Sequence, residues 1–340
     1  MIRIVEKTDY GATVTAKPQF SIVTPVFNGS RFLDETILSV LTQAGPFTLR
    51  YHVQDGGSTD DTLKKLAAWK ARLAAGFPVL CDGIEFSYAS APDRGLYDAI
   101  RQGFAQIGAG DVMTWLNADD RLEPGALHSL AHILERFPDI DWLGGRSTIA
   151  DETGVIVVSW PIMPFPRKAI AAGIFDGRFA PIFIQQEGVF WRSRLWETVG
   201  GVSENFRLAG DFDLWRRFAR HADLVHVDTI LGCWRRREGQ LSADKAAYYA
   251  EIDGSLSAAE TATRAAIAAE FRKARAHNKL LKHGFTYRIA TRPELGGWSC
   301  ETIDVVAPFT SISGPIYPVP ANWAARQLRR VLGRLRRWLG

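Results

Sequence analysis

The spacing of apolar residues changes period several times in the first third of the chain. A β-branched, apolar run at residues 20–24 predicts a first strand, and residues 50–54 and 84–89 predict two more. Between these runs, apolar residues recur at helical spacing from residue 32 to 41 and again toward residue 69. Because strand and helix alternate, the pattern predicts an α/β fold with a mostly parallel, Rossmann-like central sheet flanked by helices.

The next stretch combines a helix, a buried strand and two adjacent carboxylates. Residues 96–107 carry apolar side chains at helical spacing, and residues 112–116 form an apolar run typical of a strand covered on both faces. Asp119 and Asp120 follow. Ligands bind at the carboxyl ends of the strands in such sheets, and a divalent cation there would offset the repulsion between the carboxylates. The alternative is that the aspartates only cap the next helix, a position that Asp favours.

Asp55 ends the second predicted strand in a similar way. Two glycines follow it, at 56 and 57, and allow the backbone to turn sharply and approach a ligand. Since the carboxyl ends of parallel strands share one edge of a sheet, we expect Asp55 to meet the Asp119 and Asp120 pair in one crevice.

The middle of the chain is less regular. Residues 142–149 and 155–160 predict the two strands of a hairpin, and residues 185–191 predict a further strand. Asp211 and Asp213 stand at the start of a predicted helix, where the helix dipole alone favours acidic side chains.

The last hundred residues divide into three kinds of sequence. An Ala-rich segment at residues 242–282 predicts helix. Residues 288–318 carry strand and loop signals without a clear place in the fold. Residues 323–339 predict a helix with one apolar side and arginines on the remainder.

Composition adds a view of charge and location. The 340 residues are 46% hydrophobic and 23% charged, which is ordinary for a globular protein. The net charge of the whole chain is +4, and the terminal helix alone carries six arginines, so the net charge of the other residues is slightly negative. These arginines are Arg326, Arg329, Arg330, Arg334, Arg336 and Arg337. This basic helix predicts contact with an anionic membrane surface, or else packing of its apolar side on the protein. The body shows no basic stripe, which argues against binding of nucleic acid.

No targeting segment is evident in the sequence. No apolar run is long enough for a secretory signal or a transmembrane helix. The three cysteines are far apart and show no metal-ligand spacing. These features predict a cytoplasmic protein, peripheral on the inner face of the cytoplasmic membrane if the terminal helix binds lipid.

Six motifs follow one another in the first 242 residues: TPVFNG at 24–29, QDGGSTD at 54–60, PDRGLYDA at 92–99, GDV through LNADD at 110–120, GDFDLW at 210–215 and GQLS at 239–242. In this order they resemble the inverting family 2 glycosyltransferases with a GT-A fold, of the bacterial cell-surface polysaccharide type. The resemblance covers roughly residues 19–242.

The resemblance implies a role for each motif. Asp211 would be the general base that takes the proton of the acceptor hydroxyl, and Asp213 is the neighbour that could be mistaken for it. Asp119 and Asp120 would hold Mg²⁺ or Mn²⁺, which bridges to the diphosphate of the donor. The other residues would bind the nucleotide sugar: Pro25, Val26, Phe27 and Asp55 at the base, Asn117 toward the ribose, and Arg94, Arg235 and Arg237 at the diphosphate.

Simpler alternatives remain for four of these residues. Asp55 could cap its own turn. Arg94 could form a surface ion pair, and Arg235 and Arg237 could belong to an ordinary basic loop.

Three positions depart from the family's pattern. Gly56 stands where the second motif often has another acid. Asn117 replaces the first Asp of the metal motif, which removes one charge from that site. Gly210 stands before Asp211, where Glu is common.

The resemblance implies an inverting, metal-dependent hexosyltransferase. It would move a sugar from a nucleoside-diphosphate donor, UDP or GDP, to a hydroxyl of a glycan or lipid-linked acceptor in polysaccharide synthesis. A non-catalytic sugar-nucleotide-binding scaffold is one alternative. A nucleotidyltransferase is another, but the chain lacks a basic glycine-rich loop after the first strand.

The predicted domain organisation follows the same limits. Residues 1–242 would form the glycosyltransferase domain, with a nucleotide-binding half at about 19–120 and an acceptor half at about 121–242. A helical and irregular extension would follow at 243–322, and the basic amphipathic helix at 323–340.

Overall fold

The computed structural model describes residues 4–7, 17–146, 148–163, 165–180, 182–276, 285–292 and 297–304. Its strands are β1 Ile4–Lys7, β2 Gln19–Val26, β3 Gly45–Asp55, β4 Cys81–Ser90, β5 Val112–Trp115, β6 Arg121–Leu122, β7 Trp142–Arg146, β8 Thr148–Ala150, β9 Ile156–Ser159, β10 Val189–Arg192, β11 Leu224–Ile230, β12 Gly232–Arg235, β13 Thr286–Thr291 and β14 Ser299–Asp304. Its α-helices are α1 Ser30–Leu41, α2 Thr62–Ala74, α3 Leu96–Ile107, α4 Ala126–Arg136, α5 Arg167–Ala171, α6 Ser193–Val199, α7 Gly210–Phe218, α8 Lys245–Ser255 and α9 Ala258–Ala276.

One large twisted sheet organises the fold. Its strand order is β1-β14-β13-β11-β7-β10-β5-β2-β3-β4. All of these strands run in one direction except β10 and β14, which are antiparallel to their neighbours. The mostly parallel α/β sheet predicted from the alternating pattern is therefore confirmed, and the first three predicted strands correspond to β2, β3 and β4.

Helices cover both faces of this sheet. Helix α1 buries Leu33, Ile37 and Val40 in the core on one face, together with apolar residues of α2 and α4. Helix α3 buries Ile100 and Phe104 in the core on the other face, together with α5, α6 and α7. The three-layer arrangement follows from the single apolar stripe on each helix, which can be buried only against the sheet.

Stacked tryptophans fasten α7 to the sheet. The rings of Trp115 and Trp215 are 5.8 Å apart and nearly parallel, and those of Trp142 and Trp215 are 5.6 Å apart. Trp191 lies beside Trp115, with ring centroids 5.4 Å apart. Since Trp215 is one turn along the helix that begins at Gly210, this cluster fixes the start of α7 relative to the end of β5.

A smaller sheet, formed by strands between residues 121 and 235, lies beside the large one. Its strand order is β6-β12-β8-β9. The predicted hairpin is present, since β8 and β9 pair antiparallel with Thr148 opposite Ser159. The single strand predicted at 142–149 is wrong, because β7 belongs to the large sheet and β8 to the small one. The end of β7 is held at the large sheet by Arg146, whose Nε donates to Asp228 on β11 over 2.7 Å.

The predicted Ala-rich helix is divided in two. Helix α8 ends at Ser255, and α9 restarts behind a capping box in which Ser257 and Glu260 bond each other's backbone amides. Strand β13 then pairs in parallel with β11 in the large sheet, so the sheet continues beyond the domain limit predicted at residue 242. The predicted terminal helix at 323–340 lies outside the described residues.

Candidate active site

The candidate site lies at the carboxyl edge of β2, β3 and β5. The loops after β2 and β3 are joined there by side chains. Asn28 accepts a hydrogen bond from the Thr59 amide at 2.8 Å, and its own amide donates to Ser58 Oγ at 2.7 Å. Asp60 accepts from the Ser30 amide at 3.0 Å. The two loops therefore form one unit around a shared opening.

Asp55 is the centre of that unit. Its carboxylate accepts hydrogen bonds from the amides of Gly57 and Ser58 and from the hydroxyls of Ser58 and Ser90, at 2.5–3.1 Å. The residue is 0% exposed. In this geometry Asp55 organises the loop, as the turn-capping alternative requires. Contact of Asp55 with a nucleotide base stays a prediction.

Gly56 is explained by Asp93, which approaches from the loop before α3. A Cβ atom at position 56 would lie 2.6 Å from Asp93 Oδ2, so any side chain there would displace the carboxyl. Burial, together with the nearby Asp98 and Asp55 carboxylates, raises the pKa of Asp93. A second acid is thus present beside Asp55, although the sequence motif lacks it, and it comes from a different loop.

The predicted base-binding segment begins inside the sheet and ends in solvent. Pro25 and Val26 are buried at the end of β2, whereas Phe27 is 65% exposed. Arg94 is exposed and pairs with Asp98 and Glu204, each at 3.1 Å. Its predicted contact with a diphosphate stays untested, and the observed geometry matches the surface ion pair.

Asp119 and Asp120 differ in their surroundings. Asp120 is 2% exposed, and its two oxygens accept from the Arg235 amide at 2.8 Å and the Asn117 side chain at 3.0 Å. Asp119 is less buried and pairs through Oδ2 with Arg237 Nε at 2.6 Å. Asp119 is therefore the member of the predicted metal pair that is better placed to meet a ligand.

Arg235 and Arg237 also divide into two roles. The Arg235 side chain is 3% exposed, and its guanidinium bonds Glu35, the Asp119 carbonyl and the carbonyls of Asp151 and Glu152. It clamps the hairpin turn to the Asp119 loop, so this geometry does not support its predicted diphosphate contact. Arg237 is one-third exposed and lies at the opening.

Asp211 begins α7 across the opening. Its backbone amide donates to the Tyr97 hydroxyl at 3.1 Å, and its Oδ1 lies 3.3 Å from the same hydroxyl. A Cβ at Gly210 would lie 2.7 Å from the Tyr97 ring, which explains why a larger residue is absent there. Burial raises the pKa of Asp211 to about 6, so the carboxylate is a stronger base than an exposed one. Asp213 pairs instead with Arg217 at 2.8 Å.

A small cavity adjoins Asp211. Its lining is mainly apolar and aromatic, with Phe183, Phe212 and Tyr248 among the contributing side chains.

Glu187 is a site residue that the sequence did not reveal. It lies in a short 3-10 turn, Gln186–Gly188, which leads into β10. Burial raises its pKa to about 7, with smaller contributions from the charges of Asp211 and Asp119. Burial and the Glu187 and Asp119 charges likewise raise the pKa of Asp120 well above its usual range. The only sequence signal was an acid directly before a buried apolar strand.

The donor set fits a cation that is shared with a ligand. Within the described ranges, no three His, Cys, Asp or Glu residues come together as a complete metal site. Asp119 can supply one hard oxygen ligand. Mg²⁺ commonly binds in this way, through one or two carboxylates, substrate phosphates and water.

Sequence comparisons with known proteins find glycosyltransferases. An uncharacterized glycosyltransferase of Mycobacterium tuberculosis is 27% identical over 219 residues, which covers 64% of this chain and 75% of that protein. Chondroitin synthase of Escherichia coli is 22% identical over 228 residues, or 66% of this chain and 30% of the synthase.

A solved structure shares the fold. The crystal structure of Staphylococcus aureus TarS residues 1–349 in complex with UDP-GlcNAc matches with a TM-score of 0.50 and 18% identity, over 66% of this chain and 61% of that chain. This likeness shows the GT-A fold predicted from the motifs. The family model "Glycosyl transferase family 2" matches residues 21–193, which is half of the chain. The chain belongs to glycosyl transferase family 2.

Proposed function

We propose that this glycosyltransferase moves a sugar from a UDP- or GDP-sugar to a hydroxyl of a glycan or lipid-linked acceptor, with inversion at the anomeric carbon. The observation that supports the proposal is that Asp119 and Asp211 belong to two elements that pack together. Asp119 follows β5, and Asp211 begins α7, which the stacked tryptophans hold against β5.

Each residue then has a defined task. Asp211 accepts the proton of the acceptor hydroxyl as that oxygen attacks the anomeric carbon, and the nucleoside diphosphate departs on the opposite side. A Mg²⁺ or Mn²⁺ ion held by Asp119 and the diphosphate would neutralise the charge that develops on the leaving group. Arg237, now paired with Asp119, would turn to the phosphates once the cation occupies that carboxylate.

The nucleotide would lie on the unit formed by the loops after β2 and β3. Pro25, Val26 and Phe27 would line the base, and Asn117 would face the ribose. Asp55 supports this surface through its bonds to Gly57 and Ser58. Asp120 supports it in the same indirect way, through Asn117 and Arg235, so we assign the cation to Asp119 alone.

The acceptor would approach on the side of Asp211, the proposed base. Synthesis of a cell-surface polysaccharide is consistent with the match to chondroitin synthase, whose name identifies it as a polysaccharide-forming enzyme. In the part of the chain that the structure describes, no helix is both long and apolar enough to cross a bilayer. Contact of residues 323–340 with an anionic membrane stays a prediction from sequence.

A donor panel tests the proposal. The full chain is incubated with UDP- and GDP-sugars and candidate acceptors, in Mn²⁺, Mg²⁺ or EDTA, and release of UDP or GDP is measured. We expect acceptor-dependent release with one donor and a metal, and a product whose anomeric configuration, read by proton NMR, is opposite to that of the donor. A product that retains the donor configuration would contradict the direct attack assigned to Asp211.

A further inference from the structure

Three side-chain oxygens near Glu187 are buried without a donor. Glu187 Oε2, Gln186 Oε1 and Asn117 Oδ1 are shielded from solvent, and none has a hydrogen-bond partner among the residues that the structure describes. Glu187 and Gln186 are 7% and 5% exposed. An unsatisfied buried acceptor is unfavourable, and most buried polar groups in folded proteins are paired. The cluster is therefore suited to a ligand that supplies hydrogen-bond donors.

Strand register brings these residues to the edge of the sheet. β10 runs antiparallel to β5, with Trp191 opposite Met113. Continuing this register past the strand ends brings Glu187 opposite Asn117. The turn before β10 thus meets the loop after β5 at the edge where the nucleotide sugar is proposed to bind.

Two further contacts hold the cluster in place. The Gln186 amide donates to the carbonyl of Trp115, the last residue of β5. The Glu187 carboxyl is close enough to Asp120 that, besides burial, its charge raises the pKa of that residue. Gln186 and Glu187 therefore both lie against the segment that carries Asp119.

Glu187 is also close to both carboxylates of the proposed reaction, since, besides burial, the charges of Asp211 and Asp119 both raise the pKa of its carboxyl. In direct inversion the anomeric carbon lies between the diphosphate, proposed near Asp119, and the attacking hydroxyl, proposed near Asp211. A residue close to both carboxylates is a candidate contact for the ring of the transferred sugar.

We propose that Glu187, with Gln186, forms the subsite that binds the hydroxyl groups of the transferred sugar, while Asn117 beside them meets the ribose. The chemistry matches, because all three free atoms are acceptors and each sugar hydroxyl carries one proton to donate. The subsite rests on the proposed function, since its ligand is the sugar of a nucleotide sugar.

Calorimetry on the full chain in Mn²⁺ tests the subsite. UDP-glucose and GDP-mannose are compared with UDP and GDP on the wild type and on Glu187→Gln, which keeps the shape but replaces one acceptor oxygen with a donor. We expect the affinity for the bound sugar nucleotide to fall by about 10- to 100-fold, as for the loss of one hydrogen bond to a buried group. The affinity for the matching nucleoside diphosphate should change by less than about 2-fold.

A matched control separates the subsite from a general effect of losing a carboxylate. Glu197 is exposed on α6, ten residues further along the chain. Glu197→Gln should leave both affinities unchanged. Thermal melts of both variants show whether each is folded.

A second measurement starts from the wild type and therefore does not depend on how the variant folds. Donor analogues that lack one ring hydroxyl at a time are titrated, and one of them should lose affinity. The same analogue should lose little further affinity in Glu187→Gln, because the two changes remove one interaction. Fully additive losses would overturn the proposal.

The remaining outcomes distinguish the subsite from the function. Equal losses for the sugar nucleotide and its nucleoside diphosphate would place Glu187 on the phosphate side and overturn the subsite alone. Unchanged affinity for both would also overturn it, while the function stands. A wild-type protein that binds none of the four probes would contradict the subsite and the proposed function together.

Discussion

The two sides of the candidate active site differ in how their polar groups are paired. On the nucleotide side, the loops at residues 26–30 and 55–62 satisfy their own polar groups, and Asp55 alone accepts from two amides and two hydroxyls. On the other side, which we call the carboxylate groove and define as Asp119, Asp120, Glu187 and Asp211, burial raises three of the four carboxyl pKa values.

The difference shows what each side contributes. The nucleotide side is rigid before any ligand arrives, because its hydrogen bonds are already made. The carboxylate groove holds groups whose ionised forms are poorly solvated, which makes them reactive or available to a ligand. The nucleotide side is therefore preorganised, and the reactive groups lie in the carboxylate groove.

The largest expected effect comes from removing the base. Asp211→Asn should lower kcat by about 10² to 10⁴-fold, the usual range for a general base. It should leave the affinity for the nucleotide sugar nearly unchanged, because the donor is held from the opposite side. The matched control is Asp213→Asn, whose partner Arg217 lies on the same helix. If Asp213→Asn lost as much activity as Asp211→Asn, the assignment of the base would be wrong.

The pH dependence sharpens the same point. Since the pKa of Asp211 is raised to about 6, kcat/KM should fall about tenfold per unit as the pH drops below 6, where the base becomes protonated. Between about pH 4, the ordinary pKa of Asp, and about pH 6, the pKa of buried Asp211, the unfolded state loses this proton while the folded state keeps it, so stability decreases across that range and stays lower above it. Asp211→Asn should therefore melt at a higher temperature than the wild type at pH 8. A lower melting temperature would contradict this view of its environment.

A smaller effect is expected at the contact between α3 and α7. Gly210→Ala places a Cβ 2.7 Å from the Tyr97 ring and should cost about 1–3 kcal/mol of stability, as overpacking does. Because the displaced Tyr97 also positions Asp211, kcat should fall more than KM changes. The double variant with Tyr97→Phe keeps the clash but loses the hydroxyl, so it reports on the contribution of the hydrogen bond.

The smallest effect is expected on the nucleotide side. Asn28→Ala removes the side-chain acceptor that ties the two loops and should lower the free energy of unfolding by about 1 kcal/mol. Nucleotide affinity should weaken modestly, while the pH profile of activity stays the same. Chemical denaturation measures the change in the free energy of unfolding. A shifted pH profile of activity would mean that the nucleotide side affects the ionisation of the carboxylate groove.

The sheet and the motifs could be predicted from the sequence because they depend on local patterns. Alternating strand and helix periods indicated β2 to β5, and Asp55 and Asp119 were placed correctly at strand ends. The split of residues 142–149 between two sheets could not be predicted, since nothing local marks where a strand leaves one sheet for another. Strand β13 beside β11 is a pairing between distant segments, which a single sequence does not encode in its periodicity.

The site shows the same limit. Gly56 contacts Asp93, and Gly210 contacts Tyr97, and in each pair the two residues are far apart in sequence. From the sequence alone, the two glycines are therefore only departures from the family's pattern. The sequence predicts Glu187 as part of a strand. Its burial could not be predicted, because it depends on the register between β10 and β5. The sequence shows which residues carry charge, but it does not show how deeply each charge is buried.

Binding of the nucleotide sugar with and without metal tests whether Asp119 holds a cation that binds the donor. Calorimetric titrations of UDP- and GDP-sugars are performed in Mn²⁺ and in EDTA, on the wild type and on Asp119→Asn. We predict tight binding of one donor to the wild type in Mn²⁺, and a loss of about 10²-fold or more both in EDTA and in Asp119→Asn. Equal affinity under all of these conditions would show that Asp119 holds no cation and would contradict the proposed function.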